Sequence, residues 1–261
     1  MAAESVAISA LSVAGSSYLT DLEGCTFTLD TETVRNDSVT DDAESEQVQK
    51  ITGTFDLPLM STLSNPDRVS DLQVTGFTVG ATNALTLGLE RASIEVAYAQ
   101  AEVPTVGTAF RVRQNVKRRV SGSARVAVPN TGVVPLLGDA ANTTHSNRVK
   151  TITAVVNGVT IEFPALITGE TWSAERDGLQ MVDLTLGPRK GSVLPSGTTS
   201  LLEKALNAYK TPVTISATTT ASTGSVISGS FIFQSLSLEI QDGALVMARY
   251  QFINTGAFTI A

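Results

Sequence analysis

The sequence is poor in the residue types on which most catalytic, metal and disulfide sites depend. Its 261 residues include one cysteine, Cys25, and one histidine, His145, which lies in a polar, loop-like stretch. A single cysteine excludes an intrachain disulfide, and one histidine leaves little to build a triad or a zinc site. No glycine pattern that cradles nucleotide phosphates is present. The sequence therefore predicts no enzyme and no catalytic, metal or cofactor site, and it predicts that Cys25 is a buried structural residue.

Positive charge and long apolar runs are also scarce. The formal net charge is −7, whereas a protein that grips nucleic acid usually presents a basic face to the phosphates. No basic residue precedes Arg35, so the positive segment of a secretory signal is missing. No apolar run approaches the roughly 20 residues that span a bilayer. We expect a protein that is neither exported nor placed in a membrane.

The chain is instead rich in β-branched and small residues that alternate over many short segments. Aromatic residues make up 5% and charged residues 16% of the chain, and this composition favours pleated sheets over helices. Asn157-Gly158, Asp177-Gly178 and Asp242-Gly243 each separate two apolar runs, which is a strong signal for a β-hairpin. The pattern predicts an antiparallel, nearly all-β fold whose last ribbon belongs to a sheet.

One segment has the pattern of a helix. Ser200 and Glu203 have the spacing of a capping box, in which each side chain bonds the backbone of the other residue. Leucine and alanine follow at helical spacing, and Pro212 blocks continuation. The spacing predicts one helix over residues 201–210 that packs its leucine face against a sheet.

Two charge runs of opposite sign lie far apart in the sequence. Residues 35–49 are acidic and polar, which predicts a long loop, and residues 110–128 form a basic strand. The basic strand fits phosphate contacts, a solvated strand face, or contacts with the acidic run of another copy, and we favour the last. The predicted inter-subunit residues are Asp37, Asp41, Asp42, Glu44, Glu46, Arg111, Arg113, Lys117, Arg118 and Arg119.

The ending VISGSFIFQSLSLEIQDGALVMARYQFINTGAFTIA, residues 226–261, resembles the C-terminus of the major tail tube proteins of long-tailed bacteriophages. The resemblance implies a β-sandwich with one flanking helix, made in the host cytoplasm and located in the virion tail. It also implies stacked rings, often hexameric, whose ribbons join neighbouring copies into a barrel. DNA would pass through this tube without specific binding, and the tape measure and other tail proteins would be partners.

Within that interpretation, residues 1–261 form a single tail-tube-like domain with a long loop at 35–49. A faint internal echo allows a repeat of one ribbon unit at 149–190 and 213–261. We expect the terminal ribbon to be one stave of the barrel and the lumen to be net negative. Three alternatives stay open, namely a capsid decoration protein, a tail terminator protein and a glycan-binding β-sandwich module. The last is weakened because Trp172 is the only tryptophan.

Overall fold

The fold was obtained as a computed structural model, and β-strands with one short helix form nearly all of it. The residues described are 8–19, 22–36, 45–60, 74–79, 85–128, 149–156, 159–174, 180–193, 195–198, 200–220, 224–241 and 247–261. The elements are β1 (Ile8–Val13), β2 (Ser16–Ser17), β3 (Thr26–Asn36), β4 (Ser45–Met60), β5 (Val74–Val79), β6 (Leu85–Pro104), β7 (Arg111–Val128), β8 (Val149–Val156), β9 (Val159–Ala174), β10 (Gln180–Pro188), α1 (Leu201–Leu206), β11 (Val213–Thr219), β12 (Val226–Gln241) and β13 (Met247–Ile260). The predicted fold class, all-β with one flanking helix, is confirmed.

The strands pair in two connected regions. In one, β1, β11, β12, β13, β4 and β3 are neighbours in that order. In the other, β6 pairs with β5, and the path through β8, β9 and β10 returns to β7, which itself pairs with β6. These pairs are all antiparallel, and β6 joins the two regions because its residues 91–97 also pair with β12.

Each region has a dry interior formed by alternate residues of its strands. Phe163, Ile167 and Val126 are fully buried in the second region, and Phe231 and Phe252 in the first. The neighbours of Phe163, Ile167 and Val126 are more exposed, which is the period of two expected of a sheet with one covered face. In the first region the alternation is interrupted, since Ile232 beside Phe231 and Ile253 beside Phe252 are buried as well. No helix within the described ranges is long and apolar enough to cross a bilayer.

The predicted helix is present, but it is shorter than residues 201–210. The Ser200 hydroxyl accepts from the Glu203 amide at 3.2 Å, and the Glu203 carboxylate accepts from the Ser200 amide at 2.9 Å. Leu201, Leu202, Ala205 and Leu206 are buried, as the spacing predicts. The helix ends at Leu206, and Asn207 is its C-cap, whose backbone amide donates to the Glu203 carbonyl.

The terminal ribbon is a central element of the sheet within the chain, and its role as one stave of a barrel between copies stays a prediction. Residues 226–231 of β12 pair with β11 and residues 235–241 with β6, while β13 covers the opposite edge. The outer edge of β13 pairs with β4 from Met247 to Ile253. The chain itself therefore occupies the outer edge of β13 along its first half and leaves the edge without a ladder partner after Ile253 among the described residues.

The described residues of the acidic segment 35–49 are strand, not the predicted loop. The β3–β4 ladder continues to the pair Asn36 and Ser45, so residues 35–36 and 45–49 belong to strands. Residues 37–44 lie outside the described ranges. Segments 149–190 and 213–261 each contain three consecutive antiparallel strands, β8 to β10 and β11 to β13. Their origin from one duplicated unit stays a prediction.

Candidate assembly surface

Two hairpins extend beyond the paired body of the sheet. We call residues 98–104 of β6 and 111–119 of β7, with the loop between them, the β6–β7 arm. Beyond Ala97, β6 has left β12 and pairs with β7 alone. We call β3 with residues 45–53 of β4 the β3–β4 arm, since β13 pairs with β4 only from Thr54 onward.

The β6–β7 arm has an inverted pattern, with apolar residues outside and polar residues inside. Val103 and Val112 are cross-strand partners, and they are 60% and 48% exposed. Val116 is 51% exposed, and Val106 at the tip is 99% exposed. In contrast, Arg113 is 3% exposed. The face of the arm that carries the valines is therefore exposed to solvent, and the opposite face, which carries Arg113, is covered.

Polar residues of the inner face bond backbone carbonyls of the body. The Asn115 amide group donates to the carbonyls of Phe233 at 2.8 Å and Tyr209 at 2.9 Å. Gln100 also donates to the Phe233 carbonyl, where β12 has a bulge. Burial of a polar group is costly unless it is bonded, and these two bonds satisfy both amide hydrogens of the fully buried Asn115. Its Oδ1 has no hydrogen-bond partner among the described residues. The arm is thereby fixed to the body.

Arg113 is the most highly bonded residue of the arm. Its guanidinium donates to the Glu102 carboxylate at 3.0 Å, to the Asn254 carbonyl at 2.8 Å and side-chain oxygen at 3.0 Å, and to the Thr52 hydroxyl at 3.2 Å. The Thr255 hydroxyl accepts from the Arg113 amide and donates to the Arg113 carbonyl, both at 2.9 Å. One side chain therefore joins β7, β6, β13 and β4.

The two arms lie side by side. The Ile51 amide donates to the Ala109 carbonyl at 2.9 Å, and the Arg111 guanidinium donates to the Gln49 carbonyl at 3.2 Å. Lys50 forms ion pairs with Glu32 of its own arm and Glu102 of the other. The two arms therefore contact each other through these bonds, although β7 and β4 form no ladder among the described residues.

An aromatic cluster anchors the base of both arms. The Phe258 ring contacts those of Phe27, Phe110 and Phe231 at centroid distances of 5.4 to 6.3 Å. A Cβ at Gly53 would lie 2.9 Å from the Phe258 ring, and one at Gly229 would lie 2.6 Å from the Phe258 Cβ. A side chain at either position would collide with Phe258, so both positions require glycine. The ring contacts of Phe258 hold β13 against both arms.

The predicted inter-subunit residues fall into different environments. Arg113 is buried and bonded within the chain, so we remove it from the set. Arg111 pairs with Glu102 at 3.8 Å, while Lys117 and Arg119 are exposed. The Arg118 guanidinium lies 5.6 Å from the Tyr209 ring centroid, and partial burial lowers its pKa.

Most of the predicted acidic contact residues lie outside the part of the chain that the structure describes. Asp37, Asp41, Asp42 and Glu44 lie outside the described ranges. Glu46 is placed on β4. The contact between the two charge runs therefore stays a prediction.

The exposed valines were missed by sequence reasoning, although their alternation with polar residues on β7 was a usable signal.

The thiol of Cys25 is partly buried, and desolvation with the nearby Asp56 charge raises its pKa to about 12. A neutral thiol is a poor nucleophile, consistent with a structural cysteine. Across the described residues, no group of three or more His, Cys, Asp and Glu side chains could hold a metal ion.

Comparisons with known proteins give limited matches. No protein-family model matches the sequence, and no curated protein matches it. Among solved structures, a chain from "Virion of native gene transfer agent (GTA) particle" is 14% identical, with a TM-score of 0.34 over 47% of this chain and 94% of its own. A chain from "Tail of empty GTA particle computed with helical refinement, C6 symmetry" is 15% identical, with a TM-score of 0.35 over the same shares.

Proposed function

We propose that this chain is a structural protein of a bacteriophage-like tail, which self-assembles into stacked rings that form a tube for the passage of DNA. The resemblance of residues 226–261 to major tail tube proteins motivates the proposal. The antiparallel sheet with one flanking helix supports it. The tape measure protein and other tail proteins would be its partners in the virion.

The inverted β6–β7 arm is the observation that carries self-assembly. A projecting strand pair with an exposed apolar face is an aggregation site unless another surface covers it. Covering one valine from half exposed to buried contributes on the order of 1 kcal/mol. Each ring contact repeats in every copy, so modest contacts add up to a stable assembly.

Substitution of the exposed valines tests this assignment. The double variant Val106→Glu/Val112→Glu places charge on the arm but changes no buried residue, so we expect a folded protein. Leu19→Glu is the matched control, because Leu19 is also an exposed apolar residue but lies next to β2, at the far end of the strand order.

Negative-stain microscopy and sedimentation measure the result. We expect rings or tubes from the parent and the control, and dispersed monomers with unchanged circular dichroism from the double variant. Parent protein that stays monomeric at high concentration would refute the proposal. Tubes formed by the double variant would show that the arm is not the assembly surface.

We also propose that the acidic segment of one copy meets the basic strand of another. The paired residues can be followed from strand to strand across β7, β6, β12, β13 and β4. On this path Arg119 of β7 lies level with Asp56 of β4, four strands away. Glu46 lies ten residues before Asp56 on β4, which is about 33 Å at 3.3 Å per residue. Within the chain, Arg111 of the basic strand already bonds the Gln49 carbonyl of the acidic segment at 3.2 Å, so we assign the pairing between copies to the exposed Lys117 and Arg119.

Charge reversal tests the pairing. Asp41→Lys/Asp42→Lys/Glu44→Lys should impair polymerisation and leave the monomer folded. Adding Lys117→Glu and Arg119→Glu should restore polymerisation, because the signs are again complementary. Normal tubes from the triple variant would contradict the pairing, as would failure of the compensating changes to restore assembly.

The net charge of −7 fits a lumen that DNA crosses without adhering, because like charges repel. We expect assembled tubes to leave the gel mobility of duplex DNA unchanged at low salt. Retention of DNA that is relieved by added salt would indicate a positive bore and contradict this part of the proposal.

A further inference from the structure

The β6–β7 arm has a hinge where it leaves the body of the sheet. Ala99 of β6 pairs with Lys117, but the next residue, Gln100, pairs with Asn115, so Val116 of β7 is left without a partner in this ladder. An extra residue of this kind is a β-bulge, at which a strand bends. The exposed valines nearer the tip lie beyond the bulge, so the bend at the bulge sets the direction in which they face.

The segment that ends α1 and follows it contacts β7 on both sides of the bulge. Before the bulge, the Asn115 amide group donates to the Tyr209 carbonyl at 2.9 Å. After the bulge, the Arg118 guanidinium donates to the Asn207 side-chain oxygen at 3.4 Å and lies 5.6 Å from the Tyr209 ring centroid. Residues 207–209 therefore bridge the hinge.

The helix end depends on the arm in return. The last four carbonyls of a helix have no partner within it, and one of them, the Ala205 carbonyl, accepts from the Tyr98 hydroxyl of β6 at 2.8 Å. The helix α1 has six residues, and isolated helices shorter than about 12 residues are marginally stable in water. If segment 205–209 moved alone, the buried Tyr98 hydroxyl and Asn115 amide would lose partners, which is costly.

We propose that segment 205–209 holds the hinge of the β6–β7 arm, so that the end of α1 and the arm open together. Every contact involved lies within one chain, so this inference goes beyond the proposed tube and does not depend on it. A closed hinge fixes the direction in which the exposed valines face. Coupling of this kind is reciprocal, so any contact that holds the arm in place also stabilises the helix end.

Amide hydrogen exchange, followed residue by residue by NMR on dilute, monomeric protein, measures the opening of each part. The Arg113 amide reports on the arm, because it donates to the Thr255 hydroxyl of β13. The Asn207 amide reports on the helix end, because it donates to the Glu203 carbonyl. The Val182 amide is the reference, since β10 lies between β7 and β9 in the body.

Two substitutions weaken the helix from different ends. Tyr98→Phe removes the bond to the last turn of α1, and Ser200→Ala removes the cap at the opposite end. We expect each to speed exchange of both the helix and the arm amides by the same factor, roughly five-fold, and to leave the reference amide unchanged. Tyr250→Phe is the matched control, because the buried Tyr250 hydroxyl has no hydrogen-bond partner among the described residues, and it should change none of the rates.

Faster exchange of the helix amide with an unchanged arm amide would overturn the inference. The same factor at the reference amide would also overturn it, because the substitutions would then act on the whole chain. Equal effects of Tyr98→Phe and Tyr250→Phe would show that the bond to the helix end is not what holds the hinge. The measurement uses the monomer, so none of these results bears on whether the protein forms tubes.

Discussion

Arg113→Ala is the sharpest test of how the arm is attached to the body. The Arg113 side chain is 2% exposed and bonds Glu102, Asn254 and Thr52. Hydrogen bonds to a charged group contribute about 1.5–3 kcal/mol each, and they are not additive when they share one side chain. Breaking a buried ion pair costs about 3–5 kcal/mol when the partner stays buried and uncompensated.

The expected cost lies toward the low end of these ranges. The Glu102 side chain is 36% exposed and keeps Lys50 and Arg111 as partners, so its charge stays compensated. We therefore expect Arg113→Ala to lower the free energy of unfolding by about 2–4 kcal/mol. Arg113→Lys should recover only part of this loss, because an ammonium cannot reproduce the planar fork of bonds.

The assay is urea unfolding of dilute, monomeric protein, followed by the fluorescence of Trp172, with the monomeric state checked by sedimentation. Arg119→Ala is the matched control, because this arginine of the same strand is exposed and its loss should change stability by at most about 0.5 kcal/mol. If the two variants unfold at the same urea concentration, the intrachain role of Arg113 is wrong. Loss of assembly by Arg113→Ala with unchanged monomer stability would support the inter-subunit role instead.

Three further predictions concern packing, the helix cap and the thiol. Gly229→Ala places a Cβ 2.6 Å from the Cβ of Phe258 and should lower the free energy of unfolding, measured in urea, by about 1–3 kcal/mol. Gly24→Ala is the control, because its Cβ meets nothing within 4 Å and the change should be near neutral. Equal effects of the two substitutions would contradict the packing argument. Ser200→Ala removes the cap of α1 and should cost about 1 kcal/mol, measured by thermal unfolding, and Ser200→Asn should retain most of it. Cys25 should react with a thiol reagent at pH 8 roughly a thousand-fold more slowly than an unperturbed cysteine, because its raised pKa leaves little thiolate. Unfolding in urea should restore the rate, and fast labelling of the native protein would refute the assignment.

Local signals predicted local structure well. The capping box needs only Ser200 and Glu203 three residues apart, and the structure has both of its hydrogen bonds. Asn157-Gly158 separates β8 from β9, which pair from Val156 and Val159 outward. Such signals succeed because the groups that satisfy the backbone lie a few residues away in the sequence.

The arms could not be predicted in this way, because periodicity shows which residues share a face but not which face is covered. Val112 and Val116 fit a core face, yet they are exposed and Arg113 is buried. The carbonyl of Phe233 and the side chain of Asn254 decide this, and both are far away in the sequence. The polar residues 45–49 looked like a loop because the segment lacks the alternation of a half-buried strand, and Val48 and Gln49 are both exposed in β4.

The partner changes along β6 have a mechanical consequence. Its 20 residues extend about 66 Å at 3.3 Å per residue. On one side β6 pairs first with β5, then with β12, and beyond Ala97 with none of the described strands. The irregularities between Leu89 and Arg91 and between Ala99 and Gln100 interrupt its register with β7. One continuous backbone therefore connects the β5–β10 region to the tip of the β6–β7 arm. A force applied to that region would be transmitted along β6, and the strand would bend at these two irregularities.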